Sequence, residues 1–341
     1  MVDQRVIVTG AAGFIGWATC EALLARGATV VGVDNFNDYY DVALKDARAA
    51  RLEAHESFTM HRLDIADADA VKQLVSDVDP YVVVNLAAQA GVRYSLERPD
   101  VYVQSNLVGF LSILEACRAQ VESGAALTHL VYASSSSVYG DSADAPYSVA
   151  QKSDEPVSLY AATKKSNELM AHAYSSAFGL PSVGLRFFTV YGPMGRPDMA
   201  YFKFTNRLVK GDAIEVYNGG DMLRDFTYID DIVAGVLSVI DRGAEVVPAG
   251  VPHKVYNLGN SHPEKLGDFI LTLERCLRDN DLLTTPLQRK DLPMQVGDVY
   301  QTFADIEESS RDLGFAPTVG MDEGLSRFAR WYAEYYRDER S

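Results

Sequence analysis

Seven residues near the N-terminus restrict what this chain can fold into more than anything after them. Gly10-Ala11-Ala12-Gly13-Phe14-Ile15-Gly16 follows an apolar run, Val6-Ile7-Val8-Thr9, and opens a helical pattern from Gly13 to about Arg26. Strand, glycine turn and helix in that order place backbone N–H groups at a helix N-terminus, where an anionic phosphate can approach unobstructed. The spacing is GxxGxxG rather than GxGxxG, and a plain strand-to-helix turn could use the same glycines. Asp34 separates the two cases. It ends the second apolar run, Thr29-Val30-Val31-Gly32-Val33. A carboxylate there accepts hydrogen bonds from both hydroxyls of an adenosine ribose and repels a 2′-phosphate, which favours NAD over NADP. Asn35-Phe36-Asn37 follows with no arginine to welcome that phosphate. Asp64-Ile65, after a third strand over Phe58–Leu63, adds a carboxylate suited to the adenine amine.

The same alternation continues. Tyr81–Asn85, Leu130–Tyr132 and Ser182–Phe187 read as further strands. Helical patterns lie between them, strongest after Pro99 through Cys117 and over Leu159–Phe178. Continuous apolar strands alternating with helices signal an α/β protein with a Rossmann-type, doubly wound parallel sheet. The pattern loosens after Tyr191, with Gly192-Pro193, Gly195, Pro197 and Gly219-Gly220, and helices recur near Asp230–Asp241, Glu264–Arg278 and Gly320–Tyr336. With 341 residues at roughly 150 per domain, the expectation is a cofactor domain over 1–187 and a smaller substrate domain over 188–341, some of whose segments return to the first.

Tyr160-Ala161-Ala162-Thr163-Lys164 puts Tyr and Lys one helical turn apart on the same face. Ser134-Ser135-Ser136-Ser137 follows the fifth strand, at the end of the sheet where such folds bind ligands. A phenol with a pKa of ~10 is a poor base at neutral pH. A nearby ammonium and an oxidised nicotinamide favour the phenolate, and a drop of ~3 units asks for roughly 4 kcal/mol. A tyrosinate so placed removes an alcohol proton while hydride leaves the same carbon, and a serine hydroxyl holds the oxygen.

Together, Gly10–Gly16, Asp34, Asn85-Leu86-Ala87-Ala88, Ser134 to Gly140 and Tyr160/Lys164 make the chain resemble the extended short-chain dehydrogenase/reductase family along essentially its whole length. Longer tracts sharpen the resemblance to that family's UDP-uronate 4-epimerases. They are Asp34–Asp41, Gly91-Val92-Arg93-Tyr94-Ser95, Leu185–Pro193, Gly195-Arg196-Pro197-Asp198-Met199 and Arg224–Asp231. The resemblance implies retained NAD, a UDP-uronic acid substrate, a homodimer, and epimerisation at carbon 4 through a 4-keto sugar. It implies Tyr160, Lys164 and Ser135 as catalytic residues, with Leu86, Ala87 and Ala88 beside the cofactor. Ser134 and Ser136 become supporting polar groups, Thr189 and Arg196 hold the uronate carboxylate, Arg224 binds the UDP phosphates and Arg93 is a further substrate contact. Asp298, in Gln295-Val296-Gly297-Asp298, matches the family's ribose-binding Asp, although the family's Arg is replaced by Gln295. Serines stand where the related dehydratases and decarboxylases carry acidic groups. Neutral UDP-hexose epimerisation and UDP-glucuronate decarboxylation remain the alternatives.

The charge balance bounds the partners. Lys and Arg number 31 against 47 Asp and Glu, a net charge of −16. Nucleic acid and anionic membranes need a basic face, so neither is expected as a partner. Three scattered cysteines and six histidines without an HxH or HExxH pair suggest reduced thiols, no metal and a cytoplasmic setting. If the ligands are anionic, a basic cleft is required inside an acidic protein.

Overall fold

The computed structural model describes residues 4–142, 144–294 and 299–337. In chain order the first half contains β1 (Arg5–Thr9), α1 (Phe14–Ala25), β2 (Thr29–Asp34), α2 (Val42–Glu53), β3 (Phe58–Arg62), α3 (Ala68–Val78) and β4 (Val82–Asn85). Two short helices, α4 (Tyr94–Glu97) and α5 (Pro99–Tyr102), lead through a π-helical segment, Val103–Val108, into α6 (Gly109–Ser123). Then come β5 (His129–Ser135), a 3₁₀ turn over Ser136–Tyr139, α7 (Leu159–Phe178), β6 (Ser182–Phe187), β7 (Thr189–Tyr191), α8 (Ala200–Val209), β8 (Ile214–Tyr217) and β9 (Leu223–Tyr228). The remainder is α9 (Ile229–Val246), β10 (His253–Leu258), β11 (Pro263–Lys265), α10 (Leu266–Asp279), β12 (Arg289–Leu292), α11 (Glu307–Leu313) and α12 (Met321–Tyr335).

Seven parallel strands form the central sheet in the order β10-β6-β5-β4-β1-β2-β3. β4 and β6 are buried along their whole length, because helices cover both faces. Strand order reverses between β1 and β4, which opens a crevice at their carboxyl ends. The outermost strand, β10, comes from far along the chain and pairs with β6 from His253↔Ser182 to Leu258↔Phe187. Beyond the main sheet lie a three-stranded sheet, β11-β9-β7, and the pair β12-β8. They overhang the same crevice.

Two elements differ from the sequence expectation. The helix after Pro99 is interrupted by the π segment, and the region near Glu264 begins as β11, with helix only from Leu266. In the second case Glu264 pairs with Arg224 on β9, and that tertiary pairing overrides a local helical pattern.

Candidate active site

A cleft of about 970 Å³ runs along the carboxyl ends of β1, β2, β4 and β5 and under the second group of strands. At one end stands the glycine loop. α1 starts at Gly13 with no side chain capping it, whereas Asp41, Asp67 and Ser158 cap α2, α3 and α7. Uncapped N–H groups are therefore available to an anion in the cleft. The loop is too tight for side chains. A Cβ on Gly16 would stand 2.0 Å from the Gly10 oxygen, and one on Gly10, at φ +71°, would stand 2.8 Å from the Ala87 nitrogen. This is a backbone cradle of the shape a pyrophosphate needs. Gly10, Gly13, Phe14, Ile15 and Gly16 all line the cleft, as do Leu86, Ala87 and Ala88 opposite them.

Asp34 is fixed at the end of β2. Its two oxygens accept from Ala12 N at 3.1 Å and Phe36 N at 2.8 Å, and Lys45 Nζ lies 3.8 Å away. Asn35 donates to Asp64 at 2.9 Å, and Asp64 also accepts from Ala66 N at 2.9 Å. Asp34, Asn35, Asp64 and Ile65 line the cleft beyond the glycine loop. The cradle and these polar groups fit NAD.

Further along, Tyr160 and Lys164 project from the first two turns of α7, which Ser158 caps through the Ala161 N–H at 3.1 Å. Ser135 ends β5, accepts from Ser137 N at 3.2 Å and lines the cleft beside the Tyr160 phenol. Burial raises the phenol's pKa, and the neighbouring Ser135 hydroxyl and Arg196 guanidinium pull it back. Lys164 is almost fully buried and burial pushes its ammonium down to about 8. Its Nζ donates to the Ala133 carbonyl at 2.9 Å. The lysine is thus tied to β5.

Ser134 also lines the cleft, and its hydroxyl is already tied to a protein partner. Its hydroxyl donates to Glu168 at 2.6 Å, beneath the strand. Glu168 in turn accepts both prongs of the Arg186 fork, at 2.7 and 2.8 Å. β5 and β6 hold Ser134 opposite Arg186 in register, so the pair is built into the sheet.

On the second wall, Thr189 begins β7, and Arg196 follows in the loop. Ser136, Arg93 and Arg224 also line the cleft. The Arg93 guanidinium lies over the Tyr217 ring, 4.8 Å from its centroid. Arg224 donates to the carbonyls of Leu223, Val299 and Tyr300 at 2.7–3.0 Å. Asp298 and Gln295 lie outside the described residues. Among those that are described, seven lysines and arginines line the cleft against four carboxylates. A net acidic chain thus has a net basic cleft.

Sequence reasoning assigned no role to three groups found here. Arg48, fully buried on α2, spends all five N–H groups on Met194 O, Gly195 O, Ala12 O and the Tyr40 hydroxyl. Asn106, in the π segment, bonds to both backbone groups of Gln89 and to Thr163 on α7. The π turn re-aims this side chain between the β4 loop and the catalytic helix. Asp198 accepts two hydrogen bonds from Arg196 and one from Tyr39. Arg48 and Asn106 had no local signal, since each joins segments far apart, with partners as distant as Met194 (146 residues) and Thr163 (57 residues).

Comparison with known proteins agrees with this geometry. The profile of the NAD dependent epimerase/dehydratase family matches residues 6–259. UDP-glucuronate 4-epimerase 3 of Arabidopsis thaliana is 47% identical over 340 residues, covering 97% of this chain and 77% of that protein. Protein CapI of Staphylococcus aureus is 45% identical over 98% of this chain and 100% of its own length. Among solved structures, UDP-glucuronic acid 4-epimerase from Bacillus cereus in complex with UDP-glucuronic acid and NAD superposes with a TM-score of 0.87. It is 33% identical and covers 98% of this chain and 100% of that one.

Proposed function

The chain belongs to the NAD dependent epimerase/dehydratase family, and from that premise we propose that it interconverts UDP-glucuronate and UDP-galacturonate by NAD-dependent epimerisation at carbon 4. The observation that carries this reading is the convergence of Tyr160, Ser135 and Lys164 on one stretch of a basic cleft, with Arg196 beside the phenol. When bound, NAD takes hydride from carbon 4 and later returns it to the opposite face. Tyr160 accepts the carbon 4 hydroxyl proton and gives it back to the 4-keto oxygen, so neither proton nor hydride is lost overall. Ser135 holds that oxygen, and Lys164 anchors the catalytic helix to β5 beneath the cofactor. The glycine loop takes the pyrophosphate, Asp34 the adenosine ribose and Asp64 the adenine edge.

Arg224 and Arg93 bind the UDP phosphates, Asp298 the uridine ribose, and Thr189, Ser136 and Arg196 the uronate. A planar guanidinium matches a carboxylate two-pronged, which a neutral hexose does not use. We assign 1–187 to the cofactor domain and 188–341 to the sugar-nucleotide domain, with α9 and β10 returning to the first. The protein acts as a cytoplasmic homodimer in this reading. Exposed apolar side chains on one flank support pairing: Leu111 on α6, and Leu169 and Phe178 on α7. No helix among the described residues is long and apolar enough to cross a membrane.

A proton-NMR time course with UDP-glucuronate and no added NAD tests the reading. UDP-galacturonate should appear until the two epimers equilibrate. Turnover of UDP-glucose alone would overturn it.

A further inference from the structure

Arg196 is not a loose cation in the cleft. Its Nε donates to one oxygen of Asp198 at 3.0 Å and its Nη2 to the other at 2.5 Å. That occupies one edge of the guanidinium. The outer edge, Nη1 with the second proton of Nη2, has no protein partner among the described residues. Asp198 is itself braced by the Tyr39 hydroxyl, which donates at 3.1 Å. Tyr39 reaches that point because position 91 is glycine: a Cβ there would stand 2.4 Å from the Tyr39 oxygen. Its ring packs against Tyr94, with centroids 4.8 Å apart. Three loops, following β2, β4 and β7, thus meet at one carboxylate.

We propose that Asp198, braced by Tyr39, is a positioning residue that clamps the inner edge of Arg196, so that the outer edge presents a fixed two-pronged donor to the uronate carboxylate. This rests on the UDP-uronate reading above. The 4-keto sugar is a β-keto acid. It loses CO₂ when the C5–C6 bond stands parallel to the carbonyl π orbitals. The C5–C6 electron pair then becomes the C4–C5 enolate, CO₂ departs, C5 takes a proton from water, and the stored hydride returns to carbon 4 to leave a UDP-pentose. A fork held in one plane holds the carboxylate in one plane, away from that alignment. The Asp198 charge also offsets that of Arg196. Discrimination therefore comes from shape and direction more than from net attraction.

The test follows product partition. Wild type, Asp198→Asn and Tyr39→Phe are purified with their bound NAD and incubated with UDP-glucuronate, and NMR reads UDP-galacturonate against UDP-pentose. Asp198→Asn places an amide N–H against Nη2 and frees the fork. The pentose fraction should rise about tenfold, with a higher KM and unchanged NAD content. Tyr39→Phe, which removes one hydroxyl, should move the fraction the same way by less, and decides the matter if the Asn variant does not fold. Lower kcat at an unchanged pentose fraction and KM in both variants would overturn the proposal. A wild type inert toward UDP-glucuronate would instead overturn the substrate reading on which it rests.

Discussion

Arg48 holds the carbonyl of Met194 with two N–H groups, at 3.1 and 2.6 Å, across 146 residues of sequence. The same guanidinium donates to Ala12 O in the glycine loop at 2.9 Å and to Gly195 O at 3.0 Å. One buried side chain therefore joins the phosphate cradle to the loop that carries Arg196. Lysine has a single nitrogen and cannot serve all of these acceptors. Each buried carbonyl left unpaired costs about 1–3 kcal/mol. Arg48→Lys should lower Tm by roughly 5–10 °C in thermal unfolding. A melt within about 1 °C of wild type would remove the strut role.

The glycine cradle leads to a sharper loss. A methyl at Gly16 would meet the Gly10 oxygen at 2.0 Å, so the turn must open. Gly16→Ala should then purify with little bound NAD. Nucleotide released by acid and quantified by chromatography reads this directly, and a wild-type cofactor content would contradict it.

Lys164 makes stability depend on pH in a defined window. Its folded pKa of about 8 lies below the ordinary lysine value of 10.5. Between these values the unfolded chain binds more protons, so this group's contribution to stability rises with pH. It is fully present above the unfolded pKa and is lost as pH falls through about 8. Relative to Lys164→Met, the wild type should gain about 3 kcal/mol between pH 7 and pH 11. Urea unfolding of both proteins across that range measures the difference; a constant gap would mean the ammonium is not desolvated.

The buried pair under β5 should behave asymmetrically. Glu168→Gln leaves the Arg186 guanidinium buried without its counter-charge, a loss of about 3–5 kcal/mol. Replacing both partners together, Glu168→Leu with Arg186→Met, should cost less than the single change, because no charge remains to be desolvated. A double-mutant cycle in denaturant checks the order. A double variant less stable than Glu168→Gln would show that the network does more than neutralise itself.

The doubly wound sheet was legible because its evidence is local. β6 spans Ser182–Phe187, the run read from apolar and β-branched residues, and the α1 entry lies at the glycine turn. Tyr160 and Lys164 were legible because a helix of 3.6 residues per turn makes neighbours of residues four apart. The sequence presents Ser134 beside Ser135 as a ligand group. Both line the cleft, but the bond from Ser134 to Glu168 on α7, itself paired with Arg186 on β6, could not be read from the strand alone. The resemblance drew attention to the tracts containing Tyr39 and Asp198, yet no spacing rule joins residues 159 apart.

What the sequence determined by itself is the list of chemical parts and the elements that carry them. These are a cradle without side chains, a carboxylate closing β2, a phenol and an amine on one helix face, and serines at a strand end. Periodicity and steric demand act over a few residues, and they need no partner to be read. Only the tertiary structure decided what each part touches. It gave Lys164 to a backbone carbonyl, bound Arg48 to the distant Met194 carbonyl, and set Arg196 against Asp198. The physical reason is that a buried polar group must be satisfied by whatever the packed chain brings within about 3 Å, and that neighbour is chosen by topology rather than by proximity in sequence.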